Sequence, residues 1–131
     1  KNKPEPRKTM LSSMTPTFVF DENNQLKLVV GSPGGSKIIT AILHLLINII
    51  DHKMSLEDAS HTYRFHHQWF PDHITIEENS FYKEIEQDLR LKGHKINWTK
   101  KSHGDLQSIL ISNGKIIGVS DTRSDGSPLG Y

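Results

Sequence analysis

Gly34 and Gly35 stand where a predicted strand, Leu26 to Val30, turns into a predicted helix from about Lys37 to Asp51. Two glycines let a backbone approach a ligand closely, and the N–H groups at a helix start carry partial positive charge. Together they can form an anion site or an oxyanion hole, where backbone donors meet the negative charge of a tetrahedral intermediate. A tight strand-to-helix turn with nothing bound satisfies the same spacing, and Walker-loop spacing is absent. Ser12-Ser13 offers two adjacent hydroxyls ahead of the first predicted strand. They can bind a carboxylate through charge-assisted hydrogen bonds or make an ordinary polar turn. No Gly-x-Ser-x-Gly surrounds them, so a nucleophile elbow is unsupported.

Eight histidines invite a metal site. His61, His66, His67 and His73 are clustered, yet no HExxH and no cysteine accompany them. A structural or surface role is expected, and no metal. His66 and His67, being adjacent, would point to opposite faces of a strand. Tyr63, Phe65, Trp69 and Phe70 are expected to pack a corner. Arg64 and Arg123, with Asp121 close by, are candidates for structural ion pairs that tie loops down; the plain alternative is exposure to solvent.

These residues need elements to hold them. Thr17 to Phe20 and Leu26 to Val30 flank the polar turn Asp21 to Gln25 and predict an antiparallel hairpin. The continuous apolar run Leu28-Val29-Val30 predicts cover on both faces. In the helix, Thr40, His44 and Asn48 share one face and every other face is Ile, Leu or Ala, the pattern of a helix buried in a layered fold. Ser55-Leu56-Glu57-Asp58 predicts a capping box, and Ile74-Thr75-Ile76 a strand. Ser80 predicts the cap of a helix with the stripe Phe81, Ile85 and Leu89 and its stop at Gly93. Lys95 to Trp98 predicts a short strand. Gln107 to Ser112 and Lys115 to Ser120 flank Asn113-Gly114, the strongest hairpin signal in the chain. The sum is an α/β (α+β) layered fold with mainly antiparallel pairing.

The 131 residues carry 16 Lys plus Arg against 15 Asp plus Glu, a formal net charge of +1. That balance argues against a nucleic-acid binder working through a broad basic surface. Hydrophobic residues are 34%, or about 41% with glycine against the usual ~45–50%, which is polar for a self-sufficient globule. Absence of cysteine excludes disulfides and thiolate chemistry. No run reaches the ~20 apolar residues of a membrane span. The nearest, Ile38 to Ile50, holds Thr40, His44 and Asn48. The chain begins at Lys1, so the lack of a signal peptide says nothing about export. Residues 1–8 read as a disordered or cut linker, and 9–131 as part of a larger fold.

Four strings occur in order: Leu11-Ser12-Ser13-Met14-Thr15-Pro16-Thr17; Gly31-Ser32-Pro33-Gly34-Gly35-Ser36-Lys37-Ile38-Ile39-Thr40; Arg64-Phe65-His66-His67-Gln68-Trp69 with Pro71-Asp72; and Ser120-Asp121-x-Arg123 with the final Gly130-Tyr131. Together they closely resemble the γ-glutamyltransferase (γ-glutamyl transpeptidase) family, from about residue 9 to the end.

The resemblance implies an N-terminal-nucleophile hydrolase with a four-layer αββα fold, of which this segment supplies part. In the family a precursor cuts itself into large and small subunits and exposes a threonine. That threonine attacks the γ-glutamyl amide, typically of glutathione, and the γ-glutamyl group passes to water, an amino acid or a peptide. No cofactor is implied. By position, Ser12 and Ser13 correspond to the serines that hold the substrate α-carboxylate, and Gly34 and Gly35 to the pair supplying the oxyanion hole. The family's nucleophile stands several tens of residues upstream of the Ser-Ser pair, so Thr9 is not it. Residues 9–131 are therefore expected to be the C-terminal portion of a small subunit, inactive alone. The large subunit and the N-terminal part of the small subunit are the implied partners. A periplasmic or extracellular location follows from the resemblance alone. A non-catalytic interaction module and an acylase-like or polyglutamate-processing relative stay as alternatives; the Ser-Ser pair favours a γ-glutamyl substrate over an apolar acyl chain.

Overall fold

A computed structural model of the chain describes residues 3–9, 15–78 and 84–130. Ser12, Ser13, Ser80 and Phe81 lie outside the described residues. Strand β1 (Thr17–Phe20) turns into β2 (Leu26–Gly31) through a loop in which Asp21 Oδ1 accepts the N–H groups of Asn23 and Gln25, each at 2.9 Å. A short 3-10 turn, Gly35–Lys37, leads into helix α1 (Ile38–Ile50). Helix α2 (Leu56–His61) starts as the sequence predicts, with the Asp58 N–H donating to Ser55 Oγ at 3.0 Å. Then come β3 (Phe65–His66), β4 (Ile74–Glu77), α3 (Glu86–Leu91) and β5 (Ile96–Thr99). The chain ends in the hairpin of β6 (Gln107–Ser112) and β7 (Lys115–Ser120). Asn113 at φ 51° and Gly114 at φ 73° give that hairpin the left-handed pair its two-residue turn requires.

Two sheets result. β1-β2-β6-β7 is antiparallel throughout, and β3-β4-β5 combines an antiparallel pair with the parallel pair β4·β5. The parallel pair is possible because α3 lies between the two strands as a crossover. The core forms where the four-stranded sheet meets the helices: Leu28 and Val30 pack with Ile38, Ala41, Ile42 and Leu45 of α1, Leu56 and Ala59 of α2, and Leu106.

Four expectations need correction. Helix α1 is buried on one side only, and Ile39 on its other side is 57% exposed, with Leu43 and Ile50 similar. Strand β2 likewise alternates, with Leu28 and Val30 buried and Val29 half-buried. The reason is the same for both: among the described residues each has one apolar layer against it, and the far face of the sheet leaves Phe18, Phe20, Ile109 and Ile116 in solvent. Trp69 and Phe70 do not pack a corner. They sit 84% and 76% exposed in the loop between β3 and β4. α3 begins at Glu86, and Ile85 of the predicted stripe stays exposed.

Candidate active site

The two glycines occupy the turn their spacing suggested. Gly34 has φ 140° and Gly35 φ 61°, conformations that L side chains rarely adopt. Both are exposed at the start of the helical stretch that becomes α1. The positive end of a helix and two side-chain-free residues therefore lie together at the surface. Among the described residues, a Cβ on Gly35 would meet no atom within 4 Å, whereas one on Gly34 would lie 3.2 Å from Gly104 Cα. Ser32 ties the turn down: its Oγ donates to the Pro33 carbonyl at 2.7 Å and accepts the Asp105 N–H at 2.9 Å. On the other side of the helix start, Thr40 Oγ1 lies 2.7 Å from His66 Nδ1 and 3.0 Å from the Lys37 carbonyl.

Beneath this turn is a buried ionic network. Arg64 and Asp121 are each 1% exposed, and the Arg64 guanidinium donates to Asp121 Oδ2 at 2.7 Å. It also donates to the carbonyls of Ser60 and of His103, the latter at 3.2 Å. Arg123 bridges the two acids, reaching Asp121 Oδ1 at 2.8 Å and both oxygens of Glu77. The carboxylates also accept backbone donors: Glu77 takes His103 N–H at 2.7 Å and Arg64 N–H at 2.9 Å, and Asp121 takes Leu106 N–H at 2.9 Å. Burial by itself would raise both acids. For Glu77 the bonds from Arg123 and the two N–H groups outweigh it, and for Asp121 the Leu106 N–H and both arginines do, so each stays below the ordinary carboxylate range. Burial, then repulsion from Arg123, lowers Arg64; Arg123, also buried, is raised by its two acids.

Sequence reasoning offered Arg64, Arg123 and Asp121, and the structure brings them into one cluster. It missed Glu77, His103 and Gly104. Ser102-His103-Gly104-Asp105 shows no hydrophobic period, and its only sequence signal is a glycine between two polar residues. The histidines are dispersed. His66 is buried between Thr40 and Gln68, with Nε2 3.0 Å from Gln68 Oε1, while His67 faces outward beside Asp72. Among the described residues no group of three or more His, Cys, Asp or Glu could hold a metal ion.

Two histidines, half-buried His44 and buried His103, set a pH dependence. Burial, aided by the charge of Arg64, pushes His44 down to about 4, and burial with Lys37 nearby pushes His103 down to about 4, both from 6.5. A folded-state value below the unfolded one means the unfolded chain takes the proton first as pH falls. Stability is therefore complete above about pH 6.5 and is lost on acidification toward 4, by up to about 1.4 kcal/mol per pH unit for each group. The urea midpoint of the full-length protein should fall steadily from pH 7 to 4.5, with a shallower slope for His103→Gln. A midpoint that does not move over that range contradicts the assignment.

The family model described as Gamma-glutamyltranspeptidase matches residues 1–131. The glutathione hydrolase proenzyme of Escherichia coli (strain K12) is 41% identical over 128 residues, which is 96% of this chain and 22% of that protein. Glutathione hydrolase proenzyme 2 of Schizosaccharomyces pombe is 34% identical over 131 residues, 97% of this chain and 21% of that protein. The structure of gamma-glutamyltranspeptidase from Pseudomonas nitroreducens complexed with L-DON superposes with a TM-score of 0.88 at 33% identity, over 99% of this chain and 68% of that one. The chain thus spans about a fifth of the length of the curated relatives it matches.

Proposed function

Because this chain belongs to the gamma-glutamyltranspeptidase family, we propose that the full-length protein cleaves γ-glutamyl amides such as glutathione and passes the γ-glutamyl group to water, an amino acid or a peptide. The observation that carries this reading is the Gly34–Gly35 turn, open to solvent at a helix start and held at positive φ. Attack on an amide carbonyl moves a full negative charge onto its oxygen, and fixed backbone N–H groups can meet that charge without reorganising. Ser12 and Ser13 hold the α-carboxylate of the glutamyl group through charge-assisted hydrogen bonds. One motif anchors the substrate and the other stabilises the transition state.

The attacking group is a threonine released by self-cleavage upstream of residue 1, in the N-terminal part of the small subunit, with the large subunit completing the site. The 131-residue segment alone does not catalyse, since a hole and an anchor cannot open an amide without a nucleophile. The same family reading puts the mature protein in the periplasm or outside the cell; no described helix is long and apolar enough to cross a membrane.

The test is turnover of a chromogenic γ-glutamyl anilide by the full-length protein, with a gel to follow self-cleavage and the segment as blank. A protein that neither cleaves itself nor turns over substrate would be a non-catalytic module on this scaffold. Preference for poly-γ-glutamate over the anilide would instead mark a polyglutamate-processing relative. Ser12→Ala or Ser13→Ala should each lower kcat/KM by about one to two powers of ten, the worth of one hydrogen bond to a charged group at roughly 1.5–3 kcal/mol. Self-cleavage should persist in both. Unchanged kcat/KM in steady-state kinetics removes these serines from the site.

A further inference from the structure

We propose that Gly104 is a positioning residue for the reaction: residues 103–105 form a floor against which the Gly34–Gly35 turn is set, and the floor works only with no side chain at 104. The proposal rests on the oxyanion role given above to that turn. Gly104 has φ 84°, and a Cβ built on it would lie 2.8 Å from Ala41 Cβ and 2.8 Å from Ser32 Oγ. Real Cβ atoms do not come that close to other heavy atoms. From above, a Cβ on Gly34 would lie 3.2 Å from Gly104 Cα. The two backbones therefore cross bare against bare, one in the turn before α1 and one in the loop before β6. Ala41, in the first turn of α1, is small where the floor touches it.

The floor is fastened from below and above. Glu77 accepts the His103 N–H at 2.7 Å, Arg64 donates to the His103 carbonyl at 3.2 Å, and Asp121 accepts the Leu106 N–H at 2.9 Å. The Asp105 N–H then donates upward to Ser32 Oγ at 2.9 Å. The buried ions thus reach the turn through residues 103–106. A methyl group at 104 must lift Ser32 and the helix start away from this floor, carrying the amides of Gly34 and Gly35 with them. Misplacement by about 1 Å is enough to cost on the order of a hundredfold in rate.

The experiment uses the full-length, self-cleaved protein. Gly104→Ala should lower kcat by about ten- to a hundredfold with KM within about threefold, because the oxyanion depends on the turn far more than the ground-state carbonyl does. Affinity for a boronic-acid analogue of glutamate, whose tetrahedral adduct mimics the intermediate, should fall with kcat/KM. Adding Ala41→Gly removes one of the two colliding atoms and should recover part of kcat, whereas a loss caused by φ strain at 104 alone would not be recovered. Folded, processed Gly104→Ala with kcat within twofold of wild type overturns the proposal. If Gly104→Ala does not fold or process, Ser32→Ala decides. It adds no atom and removes the pin to Asp105 together with the hydroxyl's bond to the Pro33 carbonyl, so about a three- to tenfold loss of kcat supports the floor and an unchanged kcat overturns it. Gly35→Val, run alongside, separates the two readings. If it lowers kcat and the floor variants do not, the floor is wrong and the oxyanion role stands. If it leaves kcat unchanged, the oxyanion role falls and the floor proposal falls with it.

Discussion

Asp121→Ala should destabilise the full-length protein by about 3–5 kcal/mol, the usual result of leaving one member of a buried ion pair uncompensated. Arg64, 1% exposed, would keep its charge with no carboxylate on Oδ2's side. The Leu106 N–H would lose its acceptor, and Arg123 would keep only Glu77 among its acids. Asp121→Asn, which keeps the shape and one acceptor oxygen, should cost less. Arg64→Met combined with Asp121→Ala should cost less than the sum of the two single changes, because the stranded charge is then gone. Urea unfolding of wild type, the three single variants and the double variant supplies the numbers. An Asp121→Ala midpoint equivalent to less than about 0.5 kcal/mol of loss, the range of an ordinary surface change, would show the cluster to be replaceable.

The parts of this fold that were legible in the sequence are those whose causes are local. Asn113-Gly114 determines a two-residue turn by itself, since both residues can take positive φ, and the observed register closes on Ser112 and Lys115. Ser55 signals the start of α2 through a hydroxyl three residues from the N–H it accepts. The Gly34–Gly35 turn was legible for the same reason. What the sequence could not reveal is contact across long separations. Asp105 and Ser32 are 73 positions apart, and Arg64 and Asp121 are 57 apart. No periodicity reports such a pair. The arginines were visible as candidates for ion pairs that tie loops down, but Glu77 reads only as the end of a strand.

Burial was the other failure, and its cause is instructive. Large apolar residues gain by leaving water, so Trp69 and Phe70 were expected inside. Burial also needs a second surface, and the loop between β3 and β4 has none among the described residues. The same holds for Ile39 and Leu43 on α1 and for Phe18 and Phe20 on the sheet. Hydrophobic pattern states what a residue would gain by burial; which layer covers it depends on the rest of the fold.

Gly35→Val in the processed, full-length protein should lower kcat by about 2.7–4 kcal/mol of transition-state stabilisation, two to three powers of ten, the worth of one oxyanion donor. The structure narrows the cause. A Cβ at 35 would meet no atom within 4 Å among the described residues, so it does not collide with them. The substitution acts through the backbone, because a β-branched residue at φ 61° is strained and will turn the 35 amide away from its present direction. On the proposed oxyanion role, its methyl groups also occupy the open space the acyl group needs. KM should move little, since the ground-state carbonyl depends on the hole far less than the oxyanion does. A matched variant isolates strain from chemistry: Gly114 has φ 73° and equally open space around its Cβ position, but lies in the β6–β7 turn. Gly114→Val should show a comparable shift in the thermal melt with kcat near wild type. If the two variants lose the same stability and the same small fraction of kcat, the Gly34–Gly35 pair is a structural turn and the oxyanion must be held by other groups.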